Sequence, residues 1–144
     1  MLVNQILKSK GRDGVLTLKP TDPVADALKI MADQRIGTIV VSVDGKQATG
    51  ILSERDIVRE LGSRGDACLS ETVGDLMTKD PVTCTGQETA EWVLQTMTDG
   101  RFRHLPVMEG EEMVGLISIG DVVKARLSEL AMEKDALQGM IMGH

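Results

Sequence analysis

Aromatic residues are nearly missing from this chain of 144 residues, which has one Trp, one Phe and no Tyr. Its core must be built from Val, Ile, Leu and nine Met, the last acting as adaptable gap-fillers. The same lack argues against binding of single-stranded nucleic acid, whose bases stack on aromatic rings. Cysteine is scarce too. Cys68 and Cys84 belong to no ligand-spaced cluster, so neither a disulfide framework nor a zinc site is expected. Neither has an obvious activating neighbour, which argues against redox catalysis. No apolar run approaches bilayer length, and the first residues form no signal-peptide apolar region. Basic side chains are outnumbered, 16 against 22 acidic ones, for a net charge of −6. A phosphate backbone is therefore not the expected partner. Together these absences point to a reduced, cytoplasmic protein without membrane or nucleic-acid partners, whose anions are small and met by a local cluster.

An apolar fraction of 42% with 26% charged residues is ordinary for a globular chain, and this length buries roughly two-thirds of its unfolded surface. What stands out is a stretch that occurs twice. Gly50-Ile51-Leu52-Ser53-Glu54-Arg55-Asp56-Ile57-Val58 is matched by Gly115-Leu116-Ile117-Ser118-Ile119-Gly120-Asp121-Val122-Val123, with glycine, serine and aspartate each 65 positions apart. A constant offset of this kind marks an internal repeat.

The pattern around each copy is the same. Leu2 to Lys8 and Val73 to Met77 read as short amphipathic helices that introduce the two repeats. After the loop Ser9 to Gly14, Val15 to Leu18 reads as a short strand, and Pro20-Thr21-Asp22-Pro23 supplies a turn, a cap and a first helical turn. Val24, Ala27, Leu28 and Met31 form one helical face, Thr38 to Val43 a β-branched strand, Asp44-Gly45 a turn, and Gly50 to Leu52 the partner strand. Ser53 opens a helix to about Leu61, and Gly62 to Thr72 reads as a polar linker. In the second copy Pro81 to Cys84, the face Ala90, Val93, Leu94 and Met97, the strand His104 to Met108 and the return Met113 to Ile117 fill the same places. The last helix, opened by Ser118, reaches to about Met140. Its apolar stripe of Val123, Leu127, Leu130, Leu137 and Ile141 is either an extension of the core face or a dimer-forming tail. Trp92, with no aromatic counterpart in the first copy, is expected in packing or a dimer contact.

The expected fold class is α+β: two strand-helix-strand-strand-helix repeats, residues 1–65 and 66–144, related by a pseudo-twofold axis. One such unit has too little core to stand alone. Packing two together creates two equivalent clefts, where a ligand site is expected.

The paired Gly-x-x-Ser-x-x-Asp motifs, Thr17 and Thr83 at strand ends, and Arg101-Phe102-Arg103-His104-Leu105-Pro106-Val107 together resemble a tandem pair of CBS domains, from about Val15 to Lys124. Val73-Gly74-Asp75-Leu76-Met77-Thr78 is similar to that family's lead-in to its second repeat. The resemblance implies a regulatory module without catalysis that binds an adenine nucleotide: AMP, ADP, ATP, NAD or S-adenosylmethionine. It implies a first site using Thr17, Ser53 and Asp56, and a second using Thr83, Ser118 and Asp121. It further implies a homodimer shaped as a flat disc, and a regulated protein on another chain. A structural or dimerisation module with vacant clefts is the alternative.

The residues permit two readings of each motif. Serine three positions before aspartate is the spacing of a capping box, which needs no ligand. A carboxylate at a helix start also accepts vicinal hydroxyls, while free N–H groups there favour a phosphate. Arg55, Arg101, Arg103 and His104 are the expected anion contacts, arginine offering planar bidentate donors. Thr17 and Thr83 are either ligand contacts or simply β-branched strand formers. The copies differ, for Gly37 and Thr38 occupy the places of Arg103 and His104, and Gly120 that of Arg55. Unequal clefts are therefore expected.

Overall fold

The computed structural model describes residues 1–11 and 15–142. Its elements follow the doubled order: α1 (Val3–Lys10), β1 (Thr17–Leu18), α2 (Val24–Gln34), β2 (Thr38–Val41), β3 (Gly50–Ser53) and α3 (Glu54–Arg64), then α4 (Val73–Leu76), β4 (Thr78–Lys79), β5 (Cys84–Thr85), α5 (Ala90–Gly100), β6 (His104–Glu109), β7 (Glu112–Ser118) and α6 (Ile119–Ile141). The fold is α+β. One sheet runs β1-β2-β3-β4 and the other β5-β6-β7. In each, the short first strand pairs parallel to the second, and the next pairs antiparallel to it. Parallel pairing demands a crossover, and the amphipathic helices α2 and α5 supply it.

Two cores result. Val24, Ala27, Met31, Ile39, Val41, Leu52 and Ile57 meet in one; Ala90, Val93, Met97, Leu105, Val107, Ile117 and Val122 meet in the other. The helical faces and alternating strand residues of the sequence account for both.

The lead-in helices pack against the chain order. Val3 and Ile6 of α1 are buried in the core of the second repeat, where the Val3 and Asn4 N–H groups donate to the Glu88 and Gly86 carbonyls. Val73 and Leu76 of α4 are buried in the first core, and the Val73 and Gly74 N–H groups donate to the Asp22 and Pro20 carbonyls. β4 then adds an antiparallel edge to the first sheet. Each repeat is thus completed by the segment that introduces the other, which ties the halves together through backbone bonds.

This arrangement explains the motif glycines. A Cβ on Gly50 would sit 2.5 Å from Met77 Sδ and 2.9 Å from the Thr78 carbonyl, and one on Gly115 would sit 2.8 Å from Leu7. The lead-in lies directly against each motif strand, most rigidly at Gly50, where the contact includes backbone.

Several local expectations are corrected. Gly62 to Thr72 is no polar linker: α3 runs to Arg64, and a 3₁₀ helix over Gly65–Ser70 places Cys68, 0% exposed, in the first core. The window looked polar because its one deeply buried residue is small. Pro81 to Cys84 does not form a strand as a unit; pairing covers Cys84 and Thr85, with Thr83 exposed. The first strand is trimmed in the same way, from Val15–Leu18 to Thr17–Leu18. Pro23 stands at the α2 cap without a side-chain bond, while the Asp22 carboxylate accepts the Lys19 N–H and closes the turn. Ser9 and Lys10 belong to α1 and Gly11 caps it in the left-handed region; residues 12–14 of that expected loop lie outside the described residues.

The stripe on α6 faces solvent. Val122 and Ala125 are its buried positions, whereas Val123, Leu127, Leu130, Leu137 and Ile141 are exposed. An extended core face is excluded. Trp92 is also exposed, at 41%. Among the described residues no helix is long and apolar enough to cross a membrane.

Candidate functional site

Strand β3 runs into α3 and β7 into α6 without a loop, so the serine that ends each strand becomes the helix cap. Ser53 Oγ accepts the Asp56 N–H, and the Asp56 carboxylate accepts the Ser53 N–H at 2.9 Å. Ser118 and Asp121 form the same reciprocal pair. The capping role anticipated from the spacing is therefore real in both copies. It does not exhaust either carboxylate, because both also line clefts between the repeats.

The first cleft has a volume of about 520 Å³, inside the range of small-molecule sites. It brings together Ser53, Arg55, Asp56, Arg101, Arg103 and His104. Asp56 is buried, at 7% exposure. Its Oδ1 accepts from Arg59 Nη2 at 2.7 Å, and Oδ2 from the Ser53 hydroxyl at 3.0 Å. Arg59 was not anticipated, although a position three after the aspartate on the same helix is its natural neighbour. Ile51, Pro81, Val82 and Phe102 supply apolar wall. Four arginines, Arg55, Arg59, Arg101 and Arg103, line the cleft, and the carboxylate stands at the helix entry.

The second cleft, also about 520 Å³, holds Ser118, Asp121 and His104, with Val15, Leu16, Val114 and Leu116 as its apolar lining. Lys10 Nζ donates to Asp121 Oδ2 at 2.8 Å and to the Leu116 carbonyl at 2.9 Å. Burial alone would raise the Asp121 carboxyl above its ordinary range. The Lys10 ammonium and the Ser118 donors outweigh it, and the net shift is downward. Nothing in the sequence near Asp121 signalled Lys10, which arrives from the exchanged helix α1.

Thr38 and His104 are equivalent positions, 66 apart, and their side chains meet at 3.3 Å. Contact between equivalent residues marks the pseudo-twofold axis, and both residues line both clefts. Burial depresses the His104 imidazole, Asp121 partly offsets that, and Lys10 and Arg103 push it further down; the net direction is downward. That direction favours the uncharged ring, in which His104 offers the clefts a hydrogen-bonding wall.

Thr17 and Thr83 line neither cleft, and the expected grouping is crossed: their neighbours Val15 and Leu16 line the cleft of Asp121, and Pro81 and Val82 that of Asp56. Arg103 borders the first cleft and also a groove beside Ile119, Val123 and Leu127. Fewer N–H donors are free at the helix starts than the spacing implies. Glu54 and Ile119 donate to the Gly37 and Arg103 carbonyls, and Asp56 and Asp121 to their serines.

Comparison with known proteins agrees with this architecture. The CBS domain family model matches twice, at residues 10–63 and 73–128. A mitochondrial CBS domain-containing protein of Arabidopsis thaliana is 38% identical over 98% of this chain and 72% of its own length. The crystal structure of a CBS-domain containing protein from Agrobacterium tumefaciens superposes with a TM-score of 0.82 at 40% identity, covering 88% of this chain and 99% of that one. A CBS domain protein of Pyrobaculum aerophilum complexed with AMP gives a TM-score of 0.76 at 26% identity, over 92% of this chain and 99% of that one. With two family matches, the doubled motif and the paired sheets in agreement, the chain belongs to the CBS domain family as a tandem CBS pair.

Proposed function

We propose that the protein is a regulatory module that binds an adenine nucleotide between its repeats and conveys occupancy to a partner protein, without chemistry of its own. AMP leads the candidates, with ADP, ATP, NAD and S-adenosylmethionine as relatives sharing the adenosine group. One observation carries the reading. The first cleft gathers in one lining the Asp56 carboxylate, an acceptor for ribose hydroxyls, the guanidinium groups of Arg55, Arg101 and Arg103, donors for phosphate, and the apolar Ile51, Val82 and Phe102. Ser53 and Ser118 hold the two carboxylates in place, and Thr17 and Thr83 border the walls as supports. The AMP complex of the Pyrobaculum relative supports the same ligand class.

Because the ligand touches both repeats, it favours whichever arrangement fits it better, and that difference in affinity shifts the population a partner reads. The exposed α6 stripe suits a homodimer, since an apolar helix face of that length is normally covered. Cys68 and Cys84 are free and buried, and burial raises the Cys84 thiol to about 11. Both suit a reducing compartment such as the cytoplasm.

A thermal-shift panel with the five ligands tests the reading. Saturation at 100 times the dissociation constant stabilises by about 2.7 kcal/mol, a rise of roughly 5–10 °C for a chain of this size. A panel without any shift defeats it. The second reading, a dimerisation module with vacant clefts, draws on the capping boxes being complete without ligand.

A further inference from the structure

The pseudo-symmetry of the lead-ins identifies a difference between the clefts. Leu7 lies against Gly115 as Met77 lies against Gly50, but beyond these residues the lead-ins diverge: α1 stays helical to Lys10, whereas the other chain segment forms β4 and reaches Asp80. Asp80 lines the first cleft and Lys10 the second. In the first cleft the cation on the motif aspartate is Arg59, from the same helix and 68% exposed. The Asp56 side chain is 10% exposed, but an arginine that open to solvent can leave it without losing its own hydration. In the second, Lys10 and Asp121 are only 25% and 21% exposed, and the ammonium also serves the Leu116 carbonyl. Charge-assisted bonds in such a setting are harder to replace.

The surrounding charge differs in the same sense. Arg55, Arg59, Arg101 and Arg103 border the first cleft against Glu54, Asp56 and Asp80. Among the described residues, the second is lined by the fixed charges of Lys10 and Asp121.

Resting on the nucleotide reading above, we propose that Lys10 is the specificity-determining residue of the second cleft. Its ammonium engages Asp121 Oδ2 and the Leu116 carbonyl, and so competes with a ligand's hydroxyl donors for the motif carboxylate. Phosphate-bearing adenosine ligands therefore fill the first cleft first, and the second accepts them only by displacing Lys10.

Isothermal titration with AMP, ATP and adenosine tests this on the full chain, using Lys10→Met to keep the aliphatic stem and Lys10→Arg to keep the charge. AMP should bind wild type at a tight and a weak site. Lys10→Met should strengthen the weak site about 3–10-fold, the equivalent of losing one partly buried charged contact, and leave the tight site unchanged. Lys10→Arg should keep the weak site weak. Asp56→Ala, or Arg55→Glu if that variant folds poorly, removes the tight site so that the weak one is read alone. Two equal sites in wild type, or a weak site that Lys10→Met weakens or leaves alone, overturn the assignment while the nucleotide reading survives. Absence of binding by all three ligands, in wild type and Lys10→Met alike, overturns both.

Discussion

Replacing Asp56 by Ala separates a carboxylate that only caps a helix from one that also holds a ligand. The side chain accepts from the Ser53 N–H at 2.9 Å, the Ser53 hydroxyl at 3.0 Å and Arg59 at 2.7 Å. Loss of a cap residue destabilises by about 0.5–2 kcal/mol. The Arg59 pair adds little, because the arginine is largely exposed. A loss near 1 kcal/mol lowers the melting temperature by roughly 2–4 °C, which leaves the fold intact. Ligand affinity should fall further. A hydroxyl bonded to a carboxylate contributes about 1.5–3 kcal/mol, or about 10- to 150-fold in the dissociation constant. Melting curves with and without AMP, together with titration calorimetry, read the two effects separately. If Asp56→Ala melts lower yet retains the full AMP-induced rise, the carboxylate is a cap alone and the reasoning about ribose fails.

Three further outcomes follow from the geometry. Gly50→Ala should destabilise by about 1–3 kcal/mol, because its Cβ meets the fixed Thr78 carbonyl, and Gly115→Ala should lose less, because it meets only the movable end of Leu7; equal losses in denaturant melts would contradict this. The lowered His104 pKa means that the unfolded chain binds the proton more readily. Stability should therefore be full above about pH 6.5 and fall as pH drops through the lower folded value, and His104→Ala should flatten that limb of a pH-dependent melt. Leu127→Glu with Leu130→Glu, at residues 63% and 50% exposed, should yield a monomer by sedimentation with the fold unchanged, and a persistent dimer would place the interface elsewhere.

Much of the fold is written in local pattern. The 65-residue offset between motifs, the helical faces of α2 and α5, and the serine-aspartate spacing each follow from short-range periodicity or capping chemistry, and each is found in place. Periodicity does not say which core a helix joins, so the crossing of α1 and α4 to the opposite repeats was not legible. Lys10 was missed for the same reason, since its partner Asp121 is 111 positions away. Cys68 hid among polar neighbours because a single buried position has no period. The arginines around the first cleft were legible as a local excess of charge in an acidic chain. The downward shift of His104 was not, because it depends first on burial.

A crystal structure of the chain with AMP examines the ribose and phosphate contacts at once. The account predicts nucleotide in the first cleft, with ribose hydroxyls on the Asp56 carboxylate, Arg59 turned away and phosphate among Arg55, Arg101 and Arg103. Nucleotide bound outside the clefts, or bound there with Asp56 still engaged only by Ser53 and Arg59, would contradict it.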